Sequence, residues 1–167
     1  MKGLCGKVQA TNEIVLQIAE PHEIDGLLPL VAAYHAFEGI ELPAETRKLS
    51  VATLLNDRRL GEIWQIRKSG RLIGYIALTF GYSIEFGGRD AFVDEFYIEP
   101  GDRGGGIGTE VLRQAKTLMS ERGVLALHLE VDRINERARS LYRRLGFSSR
   151  EKYHLMSIAL GPRHSED

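Results

Sequence analysis

The chain has 167 residues, of which 43% are hydrophobic and 27% charged, and its net charge is −1. That composition excludes a disordered chain, and the length suits one domain that buries a core without disulfides or metal. The charge balance gives no global field for nucleic acid or an anionic membrane, and the single cysteine, Cys5, excludes an internal disulfide framework and fits a reducing compartment. No run reaches the roughly 20 apolar residues of a membrane span. Met1 to Ala19 lacks the uninterrupted apolar core of a signal peptide, so a cytoplasmic protein is expected.

Ile14 to Ala19 is a β-branched apolar run ended by Glu20 and Pro21, which reads as a first strand. Leu27, Leu28, Val31, Ala32 and Tyr34 recur near helical spacing, with Pro29 expected to kink or split the helix. Ala44 to Leu55 is a second helix whose buried side is read as Leu49, Ala52, Leu55 and Leu54. From Gly61 the period changes to that of strands. Ile63 to Arg67, Leu72 to Phe80 and Ala91 to Ile98, separated by Ser69-Gly70 and Gly87 to Asp90, form an antiparallel meander in which Trp64 reads as core.

Within the third of these strands the apolar phase slips. Phe92, Phe96 and Ile98 share one parity and Val93 and Tyr97 the other, with Asp94 and Glu95 between them. A β-bulge that re-aims the carboxylates and a regular strand buried on both faces both account for this pattern.

Ile107, Val111, Leu112, Ala115, Leu118 and Met119 then follow one helical stripe, ended by Arg122-Gly123. Val124 to Val131 is an apolar strand, and Asn135 to Leu145 a helix with Ala138, Leu141, Tyr142 and Leu145 on one side. Phe147 to Arg150 and Tyr153 to Leu160 read as terminal strands. Gly161 to Asp167 reads as a frayed, flexible tail, leaving a single domain over residues 1–160.

Between the third meander strand and the following helix lies Arg103-Gly104-Gly105-Gly106-Ile107-Gly108-Thr109. Glycines at 104, 105, 106 and 108 can take positive φ and aim successive N–H groups into one concavity, while the helix adds its positive end and Arg103 a full charge. The pattern describes an anion cradle. A P-loop needs Lys directly after its last glycine, and Ile107 follows Gly106; a dinucleotide fingerprint starting at Gly104 needs Gly or Ala where Thr109 stands.

Arg103 to Gly108 resembles the Arg/Gln-x-x-Gly-x-Gly/Ala signature of the GNAT superfamily of acetyl-CoA-dependent N-acetyltransferases. Leu129-Glu130-Val131, Asn135, Ala138, Leu141-Tyr142 and Gly146-Phe147 are similar to that family's second motif. The resemblance covers roughly residues 91–147. It implies an α+β fold with a mixed, mostly antiparallel central sheet flanked by helices, and an acyltransferase that uses acetyl-CoA as co-substrate and no metal. It further implies that Arg103, Gly104, Gly105, Gly106, Ile107, Gly108 and Thr109 hold the CoA pyrophosphate. The open edge at Phe96, Tyr97 and Ile98 would pair with the pantetheine arm, with Asn135 and Ala138 also contacting it.

Acetyl transfer from a thioester to an alkyl amine needs a proton acceptor, a polarised carbonyl and a proton donor to sulfur. Glu95 is the first choice for the acceptor, Asp94 the second, with a water chain left open, and N–H groups near Phe96 or Tyr97 could polarise the carbonyl. By family analogy Tyr142 donates to sulfur, although its place on an apolar stripe is equally that of a core residue. Tyr34, His35, Glu38, Glu85 and Asp94 are candidates for the acceptor side; for His35 the plainer reading is an exposed histidine at a helix end. With Glu41 and Glu95 these acids could form a mouth that attracts a small cationic amine. A protein N-terminus, a lysine or a CoA-binding regulatory module are the alternatives. His22, His35, His128, His154 and His164 show no metal-binding spacing with one another or with Cys5. Family members often dimerise, and nothing in the sequence fixes an interface for a homodimer.

Overall fold

The structure is a computed structural model and describes residues 13–160; Cys5, His164 and the tail 161–167 lie outside the described residues. Five strands, β1 (Ile14–Ile18), β2 (Gly61–Lys68), β3 (Arg71–Ser83), β4 (Gly88–Ile98) and β5 (Ala126–Leu129), form one sheet in sequence order. The first four run antiparallel and β5 runs parallel to β4. Helices α1 (Ile24–Glu38) and α2 (Ala44–Asn56) connect β1 to β2, α3 (Ile107–Glu121) connects β4 to β5, and α4 (Glu136–Arg144) follows β5.

The sheet separates two cores. On one face Trp64, Ile76, Leu78, Ala91 and Val93 pack with Ile107, Val111, Leu112, Ala115 and Met119 of α3, joined by Leu141 and Tyr142 of α4. On the other, Ile63, Tyr75, Ala77 and Tyr97 pack with Leu27, Leu30 and Val31 of α1 and Val51 and Leu55 of α2. The predicted stripe of α3 is therefore the buried one, at about 1.5–3 kcal/mol of transfer free energy for each large side chain. Glu62 is buried among these apolar groups; it accepts from Trp64 Nε1 at 3.1 Å and pairs with Arg122 at the end of α3.

Several local expectations are corrected. α1 runs unbroken through Pro29. The carbonyl that loses its partner to the ring is that of Asp25, and both residues are exposed, so water can serve it. On α2, Leu49 is 67% exposed and Val51 is buried instead, because the helix presents Val51 and Leu55 to β2 and α1. Residues 147–160 contain no strand. Phe147 returns its N–H to Tyr142 and packs edge-on against that ring, Arg150 is held by Glu85, and a turn from Arg150 to Tyr153 carries the chain onward with its apolar residues exposed.

The slipped phase of β4 is a bulge. Ala77 pairs with Glu95 and the next residue, Leu78, pairs with Val93, so Asp94 is the extra residue. Ala91 and Val93 before it and Phe96 and Ile98 after it all join the α3 side, while Tyr97 joins the α1/α2 side. Parity changes in the sequence because the strand gains one residue without changing faces.

Candidate active site

The site forms where β4 and β5 part. Their parallel ladder runs from Asp90↔Ala126 to Val93↔Leu129, and the bulge follows at Asp94. Beyond it β4 pairs on one side only. Glu99 N–H donates to the Ile73 carbonyl at 2.9 Å, so the Gly74–Ile98 pair is a wide one, with the Ile98 N–H and C=O pointing away from β3. By the same alternation Phe96 points its N–H and C=O that way and Tyr97 does not. The opened edge is thus two residues with polar groups outward, Phe96 and Ile98.

At the end of this edge stand three consecutive glycines with positive φ, Gly104 at 100°, Gly105 at 57° and Gly106 at 83°, and Gly106 is the N-cap of α3. A Cβ at any of the three would meet nothing within 4 Å, so the requirement for glycine is conformational and the concave side is open. A hollow of about 650 Å³ beside Gly105 and Gly106 is also lined by Lys68 and Arg113. Gly108 differs from the expectation: it lies inside α3, where a Cβ would touch Leu141 at 3.6 Å and Phe96 at 3.8 Å, so it serves close packing of α3, α4 and β4. Arg103 also differs from an arginine aimed at the loop. Its Nε donates to the Ile98 carbonyl at 2.8 Å and its guanidinium stacks 5.0 Å from Phe37 and 5.4 Å from Tyr97.

On the α1/α2 side, Glu95 has both oxygens engaged. Its Oε1 lies 2.7 Å from His35 Nε2, and its Oε2 accepts from the Tyr75 hydroxyl at 2.7 Å. His35, expected as an exposed helix-end residue, is 5% exposed, because the last turn of α1 lies across β3 and β4. Tyr34, Tyr75 and Tyr97 pack their rings 6.3–6.4 Å apart beside this pair. Asp94 is itself exposed at the bulge, but partial desolvation by its surroundings, followed by the charges of Glu95 and Glu130, raises its carboxyl above the ordinary value. Burial and the nearby charges of Glu38, Glu95 and Asp94 push Tyr34 up to about 12.

Tyr142 flanks the same region from α4. It lines a cleft of about 1250 Å³ with Phe92, Leu129 and Val131, and burial, then the Glu38 charge, raises its phenol. Asn135 caps α4, its side-chain oxygen accepting from the Ala138 N–H at 3.0 Å. The structure therefore gathers Tyr34, His35, Glu38, Asp94, Glu95 and Tyr142 around the opened strand. Glu85 stands apart from this group at the β3–β4 turn, paired with Arg150, where it lines the far end of the cleft that Tyr142 also lines. Tyr75 and Arg47, which donates to His35 Nδ1 at 3.3 Å, were not singled out in the sequence. Tyr75 is recoverable from the cross-strand Tyr75–Tyr97 pair; Arg47 carries no local signal.

Among the described residues no group of three or more His, Cys, Asp or Glu could hold a metal ion, and no helix is long and apolar enough to cross a membrane. The sequence is 33% identical over 75 residues to thialysine N-epsilon-acetyltransferase of Bos taurus, covering 45% of this chain and 44% of the relative. It is 34% identical over 79 residues to streptothricin acetyltransferase of Streptomyces lavendulae, covering 47% and 40%. The chain thus spans less than half the length of these two curated relatives. An integron cassette protein from the mobile metagenome of Cole Harbour Salt Marsh superposes with a TM-score of 0.77 at 32% identity, covering 88% of this chain and 91% of that one. The sequence model of the acetyltransferase (GNAT) family matches residues 30–147, most of the chain, from within α1 to just past α4, and the protein belongs to that family.

Proposed function

We propose that the protein is an acetyl-CoA-dependent N-acetyltransferase that acetylates a small cationic amine by direct transfer in a ternary complex. The observation that carries this reading is the parting of β4 from β5 at Val93, which sets an unpaired strand edge between a glycine cradle and a pair of carboxylates. The residues fit the donor. Open glycines at the N-terminus of α3 suit a pyrophosphate, and the outward N–H and C=O of Phe96 and the N–H of Ile98, whose carbonyl is taken by Arg103, suit an amide-bearing arm. When bound, acetyl-CoA supplies the activated acetyl group as a thioester.

The chain's own groups divide the remaining work. The Phe96 N–H, on the open edge beside the bulge, is placed to polarise an acyl carbonyl. Glu95 and Asp94 hold the cationic amine, and one of them takes its proton, directly or through water; the upward shift of the Asp94 carboxyl strengthens it as a base. The Tyr142 hydroxyl, kept protonated by burial, donates to the leaving sulfur. Tyr34 and Glu38 line the amine side, and orientation within the cleft supplies much of the rate. Relatives named for thialysine and streptothricin support a small acceptor over a protein one.

The test is CoA release over a panel of diamines, amino acids, amine antibiotics and peptides, with the melting temperature followed in acetyl-CoA. Stabilisation together with turnover on a small amine is expected. Stabilisation without turnover would make the chain a CoA-binding module, turnover on peptides alone would make it a protein acetyltransferase, and no stabilisation would remove the donor assignment.

A further inference from the structure

The carboxylate of Glu95 sits at the end of a hydrogen-bonded chain that begins on a different helix, and that chain has a direction. Arg47, in the first turns of α2, is pinned by two contacts: its Nη2 donates to the Leu42 carbonyl at 3.0 Å and its Nε donates to His35 Nδ1 at 3.3 Å. A guanidinium has donors and no acceptor, so the imidazole nitrogen facing it must be the one without a proton. The ring hydrogen of His35 is then on Nε2, which points at Glu95 Oε1 from 2.7 Å. Tyr75, fully buried, closes the other oxygen.

From this order of donors the geometry points to Arg47 and His35 as positioning residues for acetyl transfer: Arg47 holds His35 in its neutral Nε2–H tautomer, so that the imidazole orients the Glu95 carboxylate as a donor and does not exchange protons with it. Glu95 then keeps one orientation, with two fixed donors and a second lone pair on each oxygen left for an amine N–H. The arrangement follows the logic by which an outer hydrogen bond fixes the tautomer of a functional histidine. Among the described residues the hydrogen bonds of Arg47 go to Leu42 and His35, so it acts on Glu95 through His35.

This inference rests on the acetyltransferase reading for its kinetic consequences but not for its geometry, and the test separates the two. In the resting protein, long-range 1H–15N spectra of the histidine rings are expected to show His35 protonated at Nε2 and bare at Nδ1, with Arg47→Leu altering that pattern. A proton on Nδ1, or on both nitrogens at neutral pH, would overturn the assignment whether or not the protein transfers acetyl groups. For turnover, His35→Leu and Arg47→Leu should each lower kcat by about 10-fold to 100-fold, as losses of orienting partners do. The KM for acetyl-CoA and the CoA-dependent rise in melting temperature should not change. His35→Gln, which can donate from its amide nitrogen and accept from Arg47 at its amide oxygen, should recover kcat to within about threefold of the unsubstituted protein, a difference well under 1 kcal/mol. If His35→Gln is as impaired as His35→Leu, the ring is relaying a proton and not holding a position. If His35→Leu has unchanged kcat, His35 is only core.

Discussion

Val93 and Leu129 form the last rung that β4 and β5 share, and the next residue of β4 is the bulged Asp94. One strand is thereby released from its neighbour at the point where its acids emerge, and Ile98, four residues past the bulge, faces the gap with an N–H that β3 does not use. Ile98→Pro removes that donor without breaking the ladder to β3, since a proline is tolerated where the N–H points away from the sheet. Ile98→Ala is the control, since it loses the same packing on the α3 side but keeps the N–H. Relative to that control the KM for acetyl-CoA should rise about tenfold in Ile98→Pro, the value of one good hydrogen bond. An equal KM in the two variants would mean that the Ile98 N–H is not directed at the ligand.

Gly106→Ala tests the cradle. At φ 83° a side chain is strained although nothing crowds its Cβ, so about 1–2 kcal/mol of stability should be lost, read by urea unfolding. Because this turn is the proposed pyrophosphate seat, acetyl-CoA binding should weaken beyond this loss. Gly108→Ala should keep its stability more nearly, since its Cβ meets Leu141 and Phe96 at ordinary contact distances.

Asp94→Asn should stabilise the protein and slow it. Partial desolvation and the neighbouring Glu95 raise the Asp94 carboxyl in the folded state above its ordinary 3.8. The native protein therefore binds that proton more tightly than the unfolded chain, so stability is lost as pH rises from the unfolded to the folded value. At neutral pH Asp94→Asn removes that loss and should raise the melting temperature slightly, since the side chain is exposed and solvent screens most of the effect; the gain should disappear in acid, below the ordinary carboxyl range. A lower melting temperature at neutral pH would mean that the carboxylate is held by partners that outweigh its desolvation.

The tyrosines give the opposite end of the pH scale. Tyr34 is pushed up to about 12, chiefly by burial, and Tyr75 and Tyr142 are raised for the same first reason. Unfolded tyrosines ionise near pH 10, so between about 10 and 12 the native state retains protons that the unfolded state loses, and stability falls as pH rises through that window. Tyrosinate absorbance should show part of the phenol population titrating only with unfolding. Full titration near pH 10 in the folded protein would contradict the burial of these hydroxyls.

Arg122→Ala should cost about 1–3 kcal/mol in denaturant unfolding, because it strips one partner from buried Glu62 and leaves its carboxylate on Trp64 Nε1 alone. Replacing Glu62 and Arg122 together by apolar residues should cost less than Arg122→Ala alone, and the fluorescence of Trp64, the chain's single tryptophan, should report both changes.

The elements around the proposed donor side were legible in the sequence because their signals are local: a glycine run, a helical stripe from Ile107 to Met119 and a helix starting near Asn135 each require only neighbours along the chain. The slipped parity around Asp94 announced an irregularity but not its kind, since a bulge is defined by Ala77 and Leu78 on another strand. The proposed acceptor side was the least legible. His35, Arg47, Tyr75 and Glu95 come from two helices and two strands, and no spacing links them. Residues 147–160 show the reverse error, in which an alternating pattern promised strands that no free edge was used to build.

The bulge also separates what the sheet needs from what the site needs. Val93 and Glu95 already oppose consecutive residues of β3, so a chain lacking Asp94 altogether would have an uninterrupted β3–β4 ladder with every other pairing unchanged. Deleting one codon, a change that scrambles most interior strands, is here expected to leave a folded protein with a more regular sheet and, under the proposed function, slower acetyl transfer. On that reading the extra residue serves the chemistry and not the sheet, and length variation at this one position among otherwise alignable chains is expected to track activity.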